Sequence, residues 1–524
     1  MKSIRPLIAA LVVLAAFPSL AAASATQEST FQDDPLLVYG TPDQVNSTLD
    51  QLAAFGVDRI RVSVFWRIVA PANDQTQKPN FDATDPAQYP AENWVRYDRV
   101  IQAAQARGIQ VNLNITSPVP RWAATDSPRP DLQDTFGPSA QEFGAFVHAV
   151  ATRYSGTYAG LPRVDFWSIW NEPNQAGWLT PQWAPDPRNA KKFVDAAPSL
   201  YRNLVGSAWQ ALADTGHGSD TILIGDTAPQ GAGKEKGLSK SIDALKFIRR
   251  MYCLDDNLNI LKGAEASVRG CPADGATFVA QNPGLFHATG YAHHPYALLT
   301  PPSARSKNPD WVSMADLPAL SHELTRIYQR YRQPLPTSRG VPLYLTEYGY
   351  QTKPDPLSVT FGEQAAWINQ AEYIAYRNPL VRSVNQFLLV DDAPTAGVDP
   401  KKNPRLAYRT FQSGLESLNG AHKPSFKAYV TPIFVTKSRI RRGRSATIFG
   451  ELRPAIAGTP VSAELQFRAH GAKKWKTRKT VSVGGPRHYF ATHLKINGTG
   501  DVRIYWRNSG KAVASRAAPI TAVR

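Results

Sequence analysis

Two glutamates carry the chemistry that this sequence advertises. Glu172 lies within Trp170-Asn171-Glu172-Pro173-Asn174, which closes the apolar, β-rich run Val164-Asp165-Phe166-Trp167-Ser168-Ile169. Glu347 has the same setting: Val341-Pro342-Leu343-Tyr344-Leu345-Thr346 runs into it, and Tyr348-Gly349 follows. A buried strand that ends in a carboxyl and stops at once puts that carboxyl at the strand's C-terminal rim, where a parallel α/β barrel does its chemistry. A pair of such carboxyls suits glycoside hydrolysis, in which one donates a proton and the other is nucleophile or base. The plain competitor is a strand-end glutamate that only salt-bridges an arginine; two glutamates in one repeated setting favour chemistry.

The elements that must position them alternate in type. Strands are expected at residues 36–39, 59–66, 109–115, 164–171, 221–225, 288–292, 341–346 and 381–390. Helices are expected at 42–55, where Thr41 is the N-cap and Pro42 the first helical residue, and at 93–107, 139–154, 189–214, 241–252, 314–331, 361–376 and 405–415. That alternation is the period of a (β/α)₈ TIM barrel with enlarged loops, of which 226–240 and 254–285 are the longest rim candidates. After residue 422 the pattern changes to about seven short strands separated by Gly and Pro, in which apolar residues alternate in Val502-Arg503-Ile504-Tyr505-Trp506. This reads as a small antiparallel β-sandwich. The expected division is therefore a leader at 1–25, a barrel at 26–422 and a β-sandwich at 423–524.

Composition narrows the function class. At 524 residues, with 43% hydrophobic and 19% charged residues, the chain is globular and long enough for two cores. Its net charge of +17 is concentrated at one end: residues 421–524 hold 21 Lys and Arg against 3 Asp and Glu, and the remainder holds 38 against 39. A basic module can hold an anionic polymer such as a cell-wall glycan, or nucleic acid without specificity; it can equally be a soluble basic surface. The 12 Trp and 20 Tyr suit sugar stacking, although large proteins bury many aromatics regardless. Lys2 and Arg5 precede the apolar run of residues 7–17, and Ala23-Ser24-Ala25 fits a cleavage site, so an exported protein with no transmembrane segment is expected. In an oxidising compartment Cys253 and Cys271 are expected to pair as a disulfide. Two cysteines without a histidine cluster do not make a metal site, and no glycine-rich phosphate loop is present, so no cofactor is expected. The protein is read as a monomer acting on an oligo- or polysaccharide.

Taken as ordered motifs over roughly residues 30 to 420, the chain resembles the clan A glycoside hydrolases, the retaining barrel enzymes that include families 5 and 39. The resemblance implies that Glu172, following Asn171 at the end of strand four, is the general acid/base, and that Glu347, at the end of strand seven, is the nucleophile. It implies that Arg61, in Ile60-Arg61-Val62-Ser63-Val64-Phe65-Trp66, bonds the nucleophile's carboxylate, and that the Tyr296 hydroxyl, in His294-Pro295-Tyr296, reaches it as well. The residue types agree on chemical grounds. Arg61 favours an ionised Glu347, whereas Glu172 must hold a proton, aided by burial and by its negative neighbour. Asn171 is placed to bond the sugar 2-hydroxyl, and the carboxyls are expected about 5–5.5 Å apart. Trp122, in Pro120-Arg121-Trp122, is a candidate for stacking on sugar or for simple rim packing, as are Trp66 and Trp178; His294 is read as substrate-binding or as a core histidine, and His293 as structural or peripheral. Two positions depart from the pattern. Thr116 stands where many family 5 members carry His, and Gln386-Phe387-Leu388-Leu389-Val390 lacks the usual strand-eight Trp, leaving Phe387 or a loop residue to replace it. Pro-x-Trp after strand three leans toward family 39. The C-terminal strands resemble the immunoglobulin-like modules of secreted bacterial proteins. A transglycosylase with the same glutamates, or a glycan-binding protein on an inactive barrel, are the alternatives.

Overall fold

The computed structural model describes residues 24–524. The first 23 residues, which hold most of the expected leader, lie outside the described residues. Among those described, no helix is long and apolar enough to cross a membrane.

Eight parallel strands close into a barrel: β1 (Glu28–Gln32), β2 (Arg59–Phe65), β3 (Gln110–Thr116), β4 (Phe166–Ile169), β5 (Thr221–Thr227), β6 (Gly290–His293), β7 (Leu343–Leu345) and β8 (Val381–Phe387), with β8 pairing back onto β1. The side-chain period of two sorts each strand between two environments. Ile60, Val62 and Val64 of β2 and Val111, Leu113 and Ile115 of β3 join the large core beneath the surrounding helices. The alternate residues Arg61, Ser63, Asn112 and Asn114 are buried and polar. The barrel interior has a small apolar cluster of its own, Phe166, Leu223 and Ala292 with Tyr344 against them. Polar residues above that plug are free to build a site.

The expected fold class holds, and the structure corrects four elements. Residues 36–39 are not a strand. Asp33 caps a short helix, Asp34–Leu37, by accepting the Leu36 amide (3.1 Å), with Pro35 in its first turn. The first strand is instead Glu28–Gln32, whose largely polar sequence hides it. Residues 189–214 are not one helix: Asn189–Asp195 pairs antiparallel with Trp183–Asp186 in a rim hairpin, and the helix begins at Ala197 with Pro198 in its first turn. Residues 405–415 are mostly loop, helical only over Pro404–Ala407. The eighth outer helix is Pro424–Val430, which lies in the stretch assigned to the β-sandwich and extends the barrel's core to Ala428 and Tyr429.

From Ile433 a second core begins. Three strands, Ile433–Val435, Ser445–Glu451 and Tyr489–Lys495, form one sheet, and six more form another centred on Gly500–Asn508. The unit has nine strands rather than seven, and Arg439–Arg441 pairs parallel with Ala518–Val523, so it is not purely antiparallel. It packs on the outer helix Phe361–Tyr376 and on the N-terminal ends of the first barrel strands. Tyr373 and Tyr376 meet Phe434, Phe449 and Tyr489, and Arg487 bonds Asp58 (2.9 Å) just before β2. The basic unit therefore sits at the end of the barrel opposite the C-terminal rim. Gly56 caps a barrel helix in the left-handed region (φ 78°), and a Cβ there would meet the Arg453 carbonyl at 2.3 Å.

One buried ion cluster joins the two units. The Arg453 guanidinium bonds Glu372 of the barrel and Glu451 of its own unit, donates to the Tyr429 carbonyl, and lies 4.0 Å from the centre of the Tyr429 ring. Removing one partner of a buried charge cluster costs more than the cluster contributes, because the others stay desolvated. Arg453→Ala is therefore expected to lower stability to urea by about 3–5 kcal/mol. Adding Glu372→Gln should recover part of that loss by removing a stranded charge; a double variant no more stable than Arg453→Ala would contradict this account.

Candidate active site

The motif around Glu172 is held by the strands on either side of β4. The Trp170 amide donates to the Ile115 carbonyl (2.9 Å), Asn171 N to Thr116 Oγ1 (3.1 Å), and Glu172 N to the Asp226 carbonyl (3.0 Å). Asn174 bonds the backbone of Ala228 in both directions and the Ile242 carbonyl. Within this frame Trp170 (φ 70°), Glu172 (φ 37°) and Asp226 (φ 43°) all occupy the left-handed region, which costs a residue with a side chain of order 1–3 kcal/mol. Such strain survives where surrounding bonds over-determine it, and it turns Glu172 out of the strand and over the barrel's axis.

Arg61 is the centre of the polar floor. Its Nη1 donates to Gln32 Oε1 (2.6 Å) and Glu347 Oε1 (2.8 Å), and its Nη2 to Asn171 Oδ1 (2.7 Å) and Asp226 Oδ1 (3.3 Å). Tyr296 donates its hydroxyl to Glu347 Oε2 (3.1 Å), so both oxygens of that carboxylate are held. His294 Nδ1 lies 2.9 Å from Glu172 Oε1 and 3.5 Å from Glu347 Oε2, and its Nε2 lies 3.4 Å from Asp226 Oδ1. One oxygen of each glutamate and one nitrogen of His294 lie within 4.8 Å of one another. Glu172, Glu347, Asn171 and Tyr296 open onto one cavity of about 670 Å³, shared with Gln32, Asp34, Trp178 and Phe387.

The electrostatics follow from burial and neighbours. Burial opposes a charge on His294, but Glu347, Asp226 and Glu172 outweigh it and push the imidazole up to about 9. Burial alone dominates at His293 and drives it down to about 4; that ring bonds the Val312 carbonyl and Thr227, so it is structural, as expected. Burial likewise pushes the Glu347 carboxyl upward, against the pull of His294 and Arg61. Arg61 does favour the ionised form of Glu347, but desolvation is the larger effect. At Asp226 the balance tips the other way: Arg61 and His294 overcome burial and hold it below the usual carboxylate range. Burial and the nearby carboxylates raise the Tyr296 phenol, so it stays a donor. Arg61 and His294 thus face three carboxyls, Asp226, Glu347 and Glu172. Glu172, His294 and Glu347 are near enough to ligate a cation, but an imidazole held protonated offers it no lone pair.

Residues 21–379 match the family model described as Cellulase (glycosyl hydrolase family 5). The chain belongs to glycoside hydrolase family 5. No curated protein matches it. Among solved structures it is similar to a family 39 glycoside hydrolase from Bacteroides cellulosilyticus, at 15% identity over 90% of this chain and 80% of that one with a TM-score of 0.46. It is also similar to GH5_18 from Streptomyces cattleya, at 15% identity over 78% and 79% of the two chains with a TM-score of 0.45.

This family 5 hydrolase departs from several residue-level expectations. Trp66 is fully buried, stacked 5.8 Å from Phe146 and edge-on to Trp122, so it belongs to the core and cannot stack on a sugar. Trp122 is pinned by its Nε1 to the Pro71 carbonyl (3.0 Å) and packs on Phe81; it does not line the cavity. The aromatics that do are Tyr296, Trp178 and Phe387, together with Phe65, Tyr408 and Phe411. Thr116 supports the Asn171 backbone in place of a histidine. Cys253 and Cys271 form the expected disulfide. Asp226, Gln32 and Asp34 were not anticipated. Asp226 ends β5 at Gly225-Asp226-Thr227, a third strand-end carboxyl that the same rule could have found. Gln32 and Asp34 were hidden by the misplaced first strand.

A histidine whose folded pKa exceeds its unfolded value stabilises the fold fully below about 6.5 and loses that contribution as pH rises through about 9. Thermal stability should therefore fall across that window, by up to roughly 3 kcal/mol from this group. The fall should be smaller in His294→Gln. Equal pH profiles for the two proteins would show that His294 is neutral in the folded state.

Proposed function

We propose that this glycoside hydrolase is an exported enzyme that cleaves β-glycosides with retention, by double displacement. The observation that carries the reading is the unequal treatment of the two carboxyls. Both oxygens of Glu347 are held, by Arg61 and Tyr296, whereas Glu172 is bonded through Oε1 to His294 and leaves Oε2 to the cavity. Their nearest oxygens lie within 4.8 Å, nearer the separation of about 5–5.5 Å found in retaining enzymes than that of about 6.5–9.5 Å in inverting ones.

In this reading Glu347 attacks the anomeric carbon as the bond to the leaving oxygen breaks, and Glu172 protonates that oxygen. The covalent ester removes the charge on Glu347. Glu172, now a carboxylate, takes a proton from water, which attacks the anomeric carbon and frees Glu347. Asn171, held by Arg61, faces the cavity where a sugar 2-hydroxyl would lie. The expected leader peptide supports export.

Glu347→Gln should lower kcat on aryl β-glycosides by at least about 10⁴-fold, because nothing else in the site can form the ester. Proton NMR of the first product should show the β-anomer; an initial α-anomer would overturn double displacement. Glu172→Ala should lose far more activity on substrates with poor leaving groups than on activated aryl glycosides, which need no proton, and added azide should restore turnover of the activated ones. A uniform loss across leaving groups would remove Glu172 from the acid role.

A further inference from the structure

The cavity is polar at its floor, and large apolar side chains stand at its mouth beside a few charged ones. The floor groups, among them Gln32, Asp34 and Asn171, sit at barrel strand ends and suffice for one sugar ring. The mouth is formed by loops after β6, β7 and β8, which present Leu298, Leu299, Leu357 and Phe411. These are four of the ten large hydrophobic side chains left exposed among the described residues, at 56%, 51%, 55% and 43%. Apolar side chains that converge on one opening mark a binding surface, whereas scattered ones need no explanation. Leu298 adds an independent sign, since its backbone is left-handed (φ 52°). The chain thus accepts local strain to hold a leucine in water, which a folding role does not explain.

A second sugar would need partners for its hydroxyls and flat rings for its C–H faces. The leucines provide neither; Tyr408 and Phe411 bring rings, and Arg405 and Arg409 bring donors, only to the side of the opening formed by the loop after β8. Several polar groups of these loops are engaged by the loops themselves: Asp355 accepts the Leu357 amide (2.7 Å), Asp392 the Phe411 amide (3.0 Å), and Ser413 donates to the Phe387 carbonyl (2.9 Å). We propose that the substrate is an amphiphilic glycoside, one sugar joined to a hydrocarbon aglycone, and that Leu298, Leu299, Leu357 and Phe411 hold the hydrocarbon while the glutamate pair works on the adjoining bond. The inference rests on the glycosidase reading of the same cavity. No new chemistry is required: Glu172 protonates the oxygen of a departing alcohol, and the hydrocarbon leaves with it.

The test is hydrolysis of an alkyl β-glycoside series from methyl to octyl, below micelle-forming concentrations, carrying whichever sugar the enzyme accepts as an aryl glycoside. The expected result is a kcat/KM that climbs with chain length, by up to about fourfold per buried methylene, and exceeds that for an oligosaccharide of equal length. In Leu298→Ser/Leu299→Ser/Leu357→Ser the climb should flatten, with a melting temperature near the wild type because the three side chains are exposed. A flat series in the wild type, or preference for the oligosaccharide, would overturn the inference and leave the glycosidase reading intact. If no glycoside is turned over, that reading fails instead. Calorimetric binding of the same alkyl series to the wild type and the triple variant then decides the mouth separately: affinity that grows with chain length only in the wild type supports a hydrocarbon site, and affinity independent of length rejects it.

Discussion

Everything at the rim depends on one buried guanidinium. Arg61 is almost wholly withdrawn from water, and taking such a charge out of solvent costs several kcal/mol unless acceptors surround it. Its acceptors come from four places in the chain: Gln32 on β1, Asn171 after β4, Asp226 on β5 and Glu347 after β7. The need to satisfy one arginine thus sets the relative positions of residues more than three hundred apart in sequence. Loss of the arginine would leave Asp226 and Glu347 to share the one charge of His294.

A second constraint is charge balance in a dry space. Asp226 touches no part of the cavity, yet it matters to what happens there. It offers its carboxylate to Arg61 and His294 together, and Thr346, the residue before Glu347, donates to it. An acid held charged from below lets two cations stand beside the glutamate pair. The strained backbone at Glu172 and at Asp226 is locked by one hydrogen bond between them, so geometry and electrostatics are secured by the same contact.

The two units of the molecule divide the work by position. The basic unit reaches the barrel through its N-terminal end and one outer helix, and no residue of it lines the cavity. Its positive charge therefore lies away from the glutamate pair. The rim loops shape the opening, and their aliphatic character is a property of those loops rather than of the barrel.

How much of this was legible beforehand depended on whether the signal was local. Thr360 with Glu363 marks the start of the Phe361–Tyr376 helix through a capping box contained in four residues. Trp-Asn-Glu-Pro-Asn announces a strand that stops at a carboxyl, and the ordered motifs Arg61, Glu172, His294-Pro295-Tyr296 and Glu347 carry the family. Where the signal was weak, the reading went wrong. The strand Glu-Ser-Thr-Phe-Gln at 28–32 is polar because half of it faces the barrel interior, and the more apolar stretch beside it is a capped helical turn. Trp66 and Trp122 could not be sorted from Trp178 and Phe387, since whether an aromatic ring faces a helix or a cavity depends on neighbours brought from elsewhere. The sequence by itself determined the barrel, the two glutamates and the arginine between them, because each is written in short-range pattern. Only the tertiary structure decided which carboxyl is held at both oxygens, that a third lies beneath them, and that the opening above is lined with leucine, because those facts are distances between segments the chain brings together only on folding.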